Sequence, residues 1–175
     1  MSQLQKGLIF AVIQIVFVAS LGAKLLWDRG RLPRGWAATQ GYDPDLPIRG
    51  RYISVTLLVN ADKIFSDAAQ SQAHPPSAYG PWNVYLTVEN GKIVANPADH
   101  YTGLTVSVPT ARPGETLASL SPPVIYFLPE HAADPIRGRP VGSVFMEATI
   151  PRKGPPRPIR LGTQINGRIV PADSQ

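Results

Sequence analysis

The sequence predicts a mainly β domain, compact, antiparallel and barrel- or sandwich-like, after one N-terminal transmembrane helix. Three observations carry that expectation. A long apolar run opens the chain between Gly7 and Trp27. Asn-Gly pairs stand between strand-like segments at 90–91 and 166–167. The 175 residues include 19 prolines and 15 glycines, which suit short strands and fixed loops, because proline breaks helix interiors.

The apolar run comes first. Residues 1–6 read as a short tail. From Gly7 to Ala23 no residue is charged; Lys24 interrupts, and Leu25, Leu26 and Trp27 continue the run. A helix over 7–27 spans about 31 Å, the thickness of a hydrocarbon core. Lys24 can snorkel to the headgroups, and tryptophan is favoured at the depth of Trp27. Gln14 is the one strongly polar side chain inside. The run is longer than a signal-peptide core and no Ala-x-Ala site ends it, so it reads as an uncleaved anchor, with Ser20-Leu21-Gly22 a weak cleavage candidate. Lys6 precedes it, while Lys24, Arg29, Arg31 and Arg34 follow. The positive-inside rule taken literally puts the C-terminal domain in the cytoplasm. A short tail ahead of a translocating anchor puts it outside. Residues alone leave both open.

Residues 28–40, rich in Arg, Gly and Pro, read as a linker, and 41–175 as the β domain. Tyr52–Val59 alternates as a strand: Tyr52, Ser54, Thr56 and Leu58 share one face, Ile53, Val55, Leu57 and Val59 the other. Residues 60–80 read as a loop with one helical turn near Ile64–Gln70. Asn90-Gly91 joins Val84–Glu89 to Lys92–Ala95, and Asn166-Gly167 joins Leu161–Ile165 to Arg168–Val170. Such pairs mark hairpins because a type I′ turn needs positive φ at both central residues. Further strands are expected at Leu104–Val108, Val124–Leu128 and Val144–Ile150.

One internal repeat stands out. Pro47-Ile48-Arg49-Gly50-Arg51 recurs as Pro135-Ile136-Arg137-Gly138-Arg139, and Pro158-Ile159-Arg160 echoes it. Proline and glycine before a strand are ordinary turn chemistry. The sharper expectation is that Arg49, Arg51, Arg137 and Arg139 converge on one anion, since guanidinium forks bind carboxylate or phosphate bidentately.

The totals narrow the chemistry. No cysteine is present, which excludes disulfides, a thiol nucleophile and thiolate metal ligation. The net charge of +5 falls entirely in residues 135–175, where seven Lys/Arg meet Glu147 and Asp173. A basic third of this kind suits an anionic lipid surface, an acidic partner or a solvated face. Nucleic acid is not expected, because prolines separate the cations and no binding motif accompanies them. His74, His100 and His131 lack metal-ligand spacing, so neither metal nor cofactor is expected. No Gly-x-Ser-x-Gly elbow appears. No serine lies between Trp27 and Tyr52 to act with a lysine base. Asp43 and Glu130, each beside a proline, are the carboxylates worth following.

The segment Tyr42-Asp43-Pro44-Asp45-Leu46-Pro47-Ile48-Arg49-Gly50-Arg51-Tyr52-Ile53 resembles the defining stretch of the GDYXXLXY-domain family, small bacterial proteins with an N-terminal membrane helix. Gly50 and Tyr52 match; Arg51 stands where the motif has Asp, Val55 where it has Leu, and Leu57 where it has the final Tyr. Tyr126-Phe127-Leu128-Pro129-Glu130 is similar to a later stretch of that family. The resemblance implies an extracytoplasmic, periplasmic domain on a single-pass anchor in the bacterial inner membrane, working with a multi-pass membrane protein. The expected function is therefore a non-enzymatic accessory or binding domain, with Asp43, Arg49, Gly50, Arg51, Tyr52, Tyr126, Glu130, Arg137 and Arg139 as candidate binding residues. Two alternatives stand beside it: a membrane-tethered hydrolase using Ser or carboxylate chemistry, and an anionic-lipid surface binder.

Overall fold

The computed structural model describes residues 3–42, 52–65, 81–112, 115–128, 135–136, 138–165 and 167–172. It divides into two compact units, Met1–Leu32 and Pro33–Gln175. The first is helix α1, Gln3–Arg31. Within it Gln5–Trp27 is long and apolar enough to cross a membrane. The helix outruns the expected 7–27 at both ends and stops just before Pro33, whose ring disfavours helical backbone in the residue ahead of it. Inside this stretch Ser20 Oγ donates to the carbonyl of Phe17 at 2.8 Å, which pairs a hydroxyl on an otherwise apolar helix. At the end, the Arg31 guanidinium lies 4.1 Å over the Trp27 ring.

The second unit is mainly β, as predicted. Its first strand corrects the sequence reading: β1 runs Arg34–Tyr42, through residues expected to be linker. Two glycines and two alanines give that stretch little strand propensity of its own; its neighbours make it a strand. It pairs antiparallel with β2, Tyr52–Asn60, from Ala38↔Leu58 to Tyr42↔Ser54. Along its first half it pairs antiparallel with β8, Val144–Thr149, from Arg34↔Thr149 to Ala38↔Phe145. The remaining strands are β3 Trp82–Glu89, β4 Lys92–Pro97, β5 Thr105–Arg112, β6 Glu115–Ser121, β7 Val124–Phe127, β9 Arg157–Ile165 and β10 Arg168–Pro171. Six of them close a barrel in the order β1-β2-β6-β5-β3-β4; β8, β9 and β10 extend from β1, and β7 extends from β2.

Closure is narrow. β4 meets β1 at Trp36↔Lys92 and β2 at Asn60↔Val94, one residue pair each. The amide of Trp36 donates to the Gly91 carbonyl at 2.8 Å. Close approach here depends on Gly35, where a Cβ would stand 3.0 Å from Ile93 Cγ1 and 3.1 Å from Val88 Cγ2. The first predicted hairpin is present with both turn residues at positive φ, Asn90 at 50° and Gly91 at 75°. In the second, Gly167 has φ 80° between β9 and β10, while Asn166 lies outside the described residues. The helical turn expected near 64–70 begins earlier, at Asp62–Phe65.

The alternation read for β2 holds on its inner face. Val55, Leu57 and Val59 are fully enclosed in the main core with Val84, Ile93, Val106, Leu120 and Met146. Leu58, on the opposite face, is not exposed either: it forms a second small cluster with Ala38 and Leu117, closed by Phe145. Among the described residues no buried side-chain polar atom lacks a hydrogen-bond partner. Thr39 Oγ1 donates to the Val144 carbonyl at 2.8 Å, and the Thr39 carbonyl accepts from the Gly142 amide at 2.8 Å.

Candidate functional site

Register along β2 and β7 decides which side chains face out. Tyr52 pairs with Phe127, Ile53 with Tyr126, Ser54 with Ile125 and Val55 with Val124. Paired residues share a face, and successive residues alternate. Ile53 and Tyr126 therefore turn inward and pack on the core. Tyr52, Phe127 and Ile125 turn outward, with 40%, 73% and 64% of their surface exposed. A single exposed apolar side chain is ordinary, whereas a contiguous group marks an interaction surface. Tyr52 and Phe127, directly opposite one another, make the centre of such a group, and Ile125 extends it along β7.

A second outward row crosses β1, β8 and β9. Trp36 pairs with Glu147, which pairs with Arg160. Arg160 Nε donates to Glu147 Oε2 at 2.6 Å, with the carboxylate side chain 12% exposed, and the guanidinium stands 5.8 Å over the Trp36 ring. Gly162 provides the floor: a Cβ there would lie 3.0 Å from Trp36 Cζ3 and 2.8 Å from the Val170 carbonyl oxygen. The members of this row pack on one another.

At the end where β2 finishes, Asp62 holds the turn. Asp62 Oδ2 accepts from Asn60 Nδ2 at 2.7 Å, and Asp62 Oδ1 accepts from the Thr116 amide at 2.9 Å. Bonding to Asn60, then to Thr116, outweighs partial burial and holds its carboxyl below the usual aspartate range. That environment suits a permanent anion, not a general acid, which needs a raised pKa. Lys63 pairs with Glu89 nearby.

Of the residues singled out in the sequence, Tyr52 and Tyr126 are brought to neighbouring strands but to opposite faces. Arg139 is exposed in the turn before β8, its amide donating to the Ile136 carbonyl at 3.1 Å. Ile136 packs on the core, and a Cβ on Gly41 would lie 3.2 Å from its Cγ2. Ile136 of the second copy is thus seated at the end of the barrel where β1 finishes and β2 begins. Asp43, Arg49, Gly50, Arg51, Glu130 and Arg137 lie outside the described residues. Among the described residues no three His, Asp or Glu side chains gather as metal ligands, and His100 is exposed. Sequence reasoning missed Phe127 and Ile125 as a surface. Alternation along Val124-Ile125-Tyr126-Phe127 carried the signal, but register with β2 was needed to say which alternate faces inward. No family model, curated protein or solved structure matches the chain.

Proposed function

We propose that this chain is a single-pass membrane-anchored binding module without catalytic activity of its own, and that its β domain contacts an integral membrane protein through Tyr52, Ile125 and Phe127. The observation that carries this reading is the outward apolar row on β2 and β7, exposed in a domain joined to an apolar helix of membrane-spanning length. Aromatic side chains supply large contact area at low entropic cost and dominate binding energy where they are buried by a partner. Resemblance to the GDYXXLXY-domain family supports a place in the bacterial inner membrane with the β domain on the periplasmic side, and Tyr52 belongs to the segment that carries the resemblance.

The reading is tested by placing a photo-crosslinking amino acid at Phe127 and, separately, at Tyr85, which is 51% exposed on β3, in cells expressing the full chain. A defined integral membrane protein is expected to be captured from position 127 and not from position 85. Capture of the same set from both positions, or of nothing from 127, overturns the reading.

A further inference from the structure

The chain enters the β domain at Arg34, and strand register places several cations at that end. Arg34 pairs with Thr149 and Thr149 with Arg157. The amide of Ile150 donates to the carbonyl of Pro33 at 3.0 Å, so the connection from β8 to β9 lies at the same end and brings Arg152 and Lys153 with it. Trp36 pairs with Lys92, which adds the β3–β4 turn. Arg34, Lys92, Arg152, Lys153 and Arg157 are all exposed. Among the described residues three carboxylates share this end: Asp62 accepts from Asn60 and Thr116, Glu89 pairs with Lys63, and Glu115 opens β6, so the cations outnumber the anions.

We infer that this basic end binds the phosphate headgroups of anionic phospholipids. The inference rests on the reading of α1 as an anchor. Arg34 stands seven residues past Trp27, and Arg29 and Arg31 lie between them. A cation cluster tied so closely in the chain to a membrane-spanning helix meets bilayer headgroups at high effective concentration. The loop that presents Arg152 and Lys153 is held by Pro151, Pro155 and Pro156, with Pro156 buried and Gly154 at φ 87°. Fixed φ at the prolines reduces what must be ordered when an anion is bound. Arginine at three of the five positions favours phosphate, which its fork matches bidentately. Charge complementarity selects an anionic bilayer surface over a neutral one, and screening by salt is its signature.

The test uses the full chain in lipid nanodiscs of phosphatidylcholine alone or mixed with phosphatidylglycerol, read by hydrogen exchange at 89–92 and 150–157. Exchange is expected to slow in the anionic discs and to return to the neutral-disc rate in high salt. Arg152→Glu with Lys153→Glu is expected to weaken the anionic-disc protection about fivefold per cation lost, while exchange across β2 stays unchanged and so reports an intact fold. Equal exchange in the two lipids overturns the assignment. Equal protection from inorganic phosphate added to neutral discs also overturns it, because the site would then be one for free phosphate. Failure of the chain to co-float with the discs overturns the anchor, and this assignment with it; co-flotation with equal exchange overturns the headgroup site alone.

Discussion

Two outward faces of the same barrel treat an aromatic ring in opposite ways. On β1, β8 and β9, Trp36 is seated on Gly162, flanked by Glu147 and overlaid by Arg160. On β2 and β7, Tyr52 and Phe127 pair across the strands with no such cover among the described residues, and Phe127 is 73% exposed. Both are cross-strand rows on the outside of a sheet. The difference lies in what the next strand supplies: β9 brings a guanidinium and a residue without a side chain, whereas among the described residues the hydrogen-bonded order ends at β7. Where burial of an outward aromatic serves stability alone, this chain has built the cover. Its omission at β7 is the physical basis for reading that face as a contact surface.

The contrast can be broken most sharply at Trp36. Trp36→Ala is expected to cost about 3 kcal/mol of unfolding free energy, measured by denaturant titration of the full chain in detergent, while Phe127→Ala costs far less. A comparable loss at the two positions would mean that Phe127 is part of the packing and would end the contrast. Next in size is Arg160→Met, which keeps the stem but leaves Glu147 without its partner; about 2 kcal/mol is expected. Restoring stability with Glu147→Gln in the same chain would identify the stranded carboxylate as the cause. Gly162→Ala should cost about 1–2 kcal/mol, because its Cβ would press on Trp36 and on backbone that cannot move aside. Phe127→Ser should shift stability by no more than about 0.5 kcal/mol yet remove the crosslinked partner.

The smallest effect concerns pH. Asp62 has its carboxyl held low in the folded state, chiefly by Asn60. Its contribution is therefore complete above the ordinary aspartate value and is lost as pH falls through the lower, folded one. Stability of the wild-type chain should fall slightly more steeply with acid than that of Asp62→Asn. Identical slopes would mean that the Asn60 and Thr116 contacts do not favour the anion.

Much of the β architecture was legible because it was written locally. The Asn90-Gly91 turn and the alternation of Ile53, Val55, Leu57 and Val59 need no distant partner to be recognised. β1 and β6 were not legible for the opposite reason. Gly35, Ala37 and Ala38 in β1, and Ala118 and Ser119 in β6, carry weak strand signals, and at Gly35 the close approach of Ile93 and Val88 leaves little space for a side chain. The Trp36–Glu147–Arg160 row was invisible for a different cause: its members are far apart in the chain and are aligned by register alone. The repeated Pro-Ile-Arg-Gly-Arg segments were conspicuous, yet what the structure shows of them is a seat for Ile136 against the core and an exposed Arg139.

The strand that follows the helix has a consequence for how the protein is made. β1 leaves the ribosome first among the strands, but one edge of it is completed only by β8, and the Thr39 hydroxyl waits for a carbonyl 105 residues downstream. Non-local pairings of this kind form late and slowly. The newly made chain must carry an unfinished strand until nearly the whole domain has been synthesised. Any chain that stops short of Val144 keeps that edge open, a state suited to capture by a chaperone or a protease rather than to function.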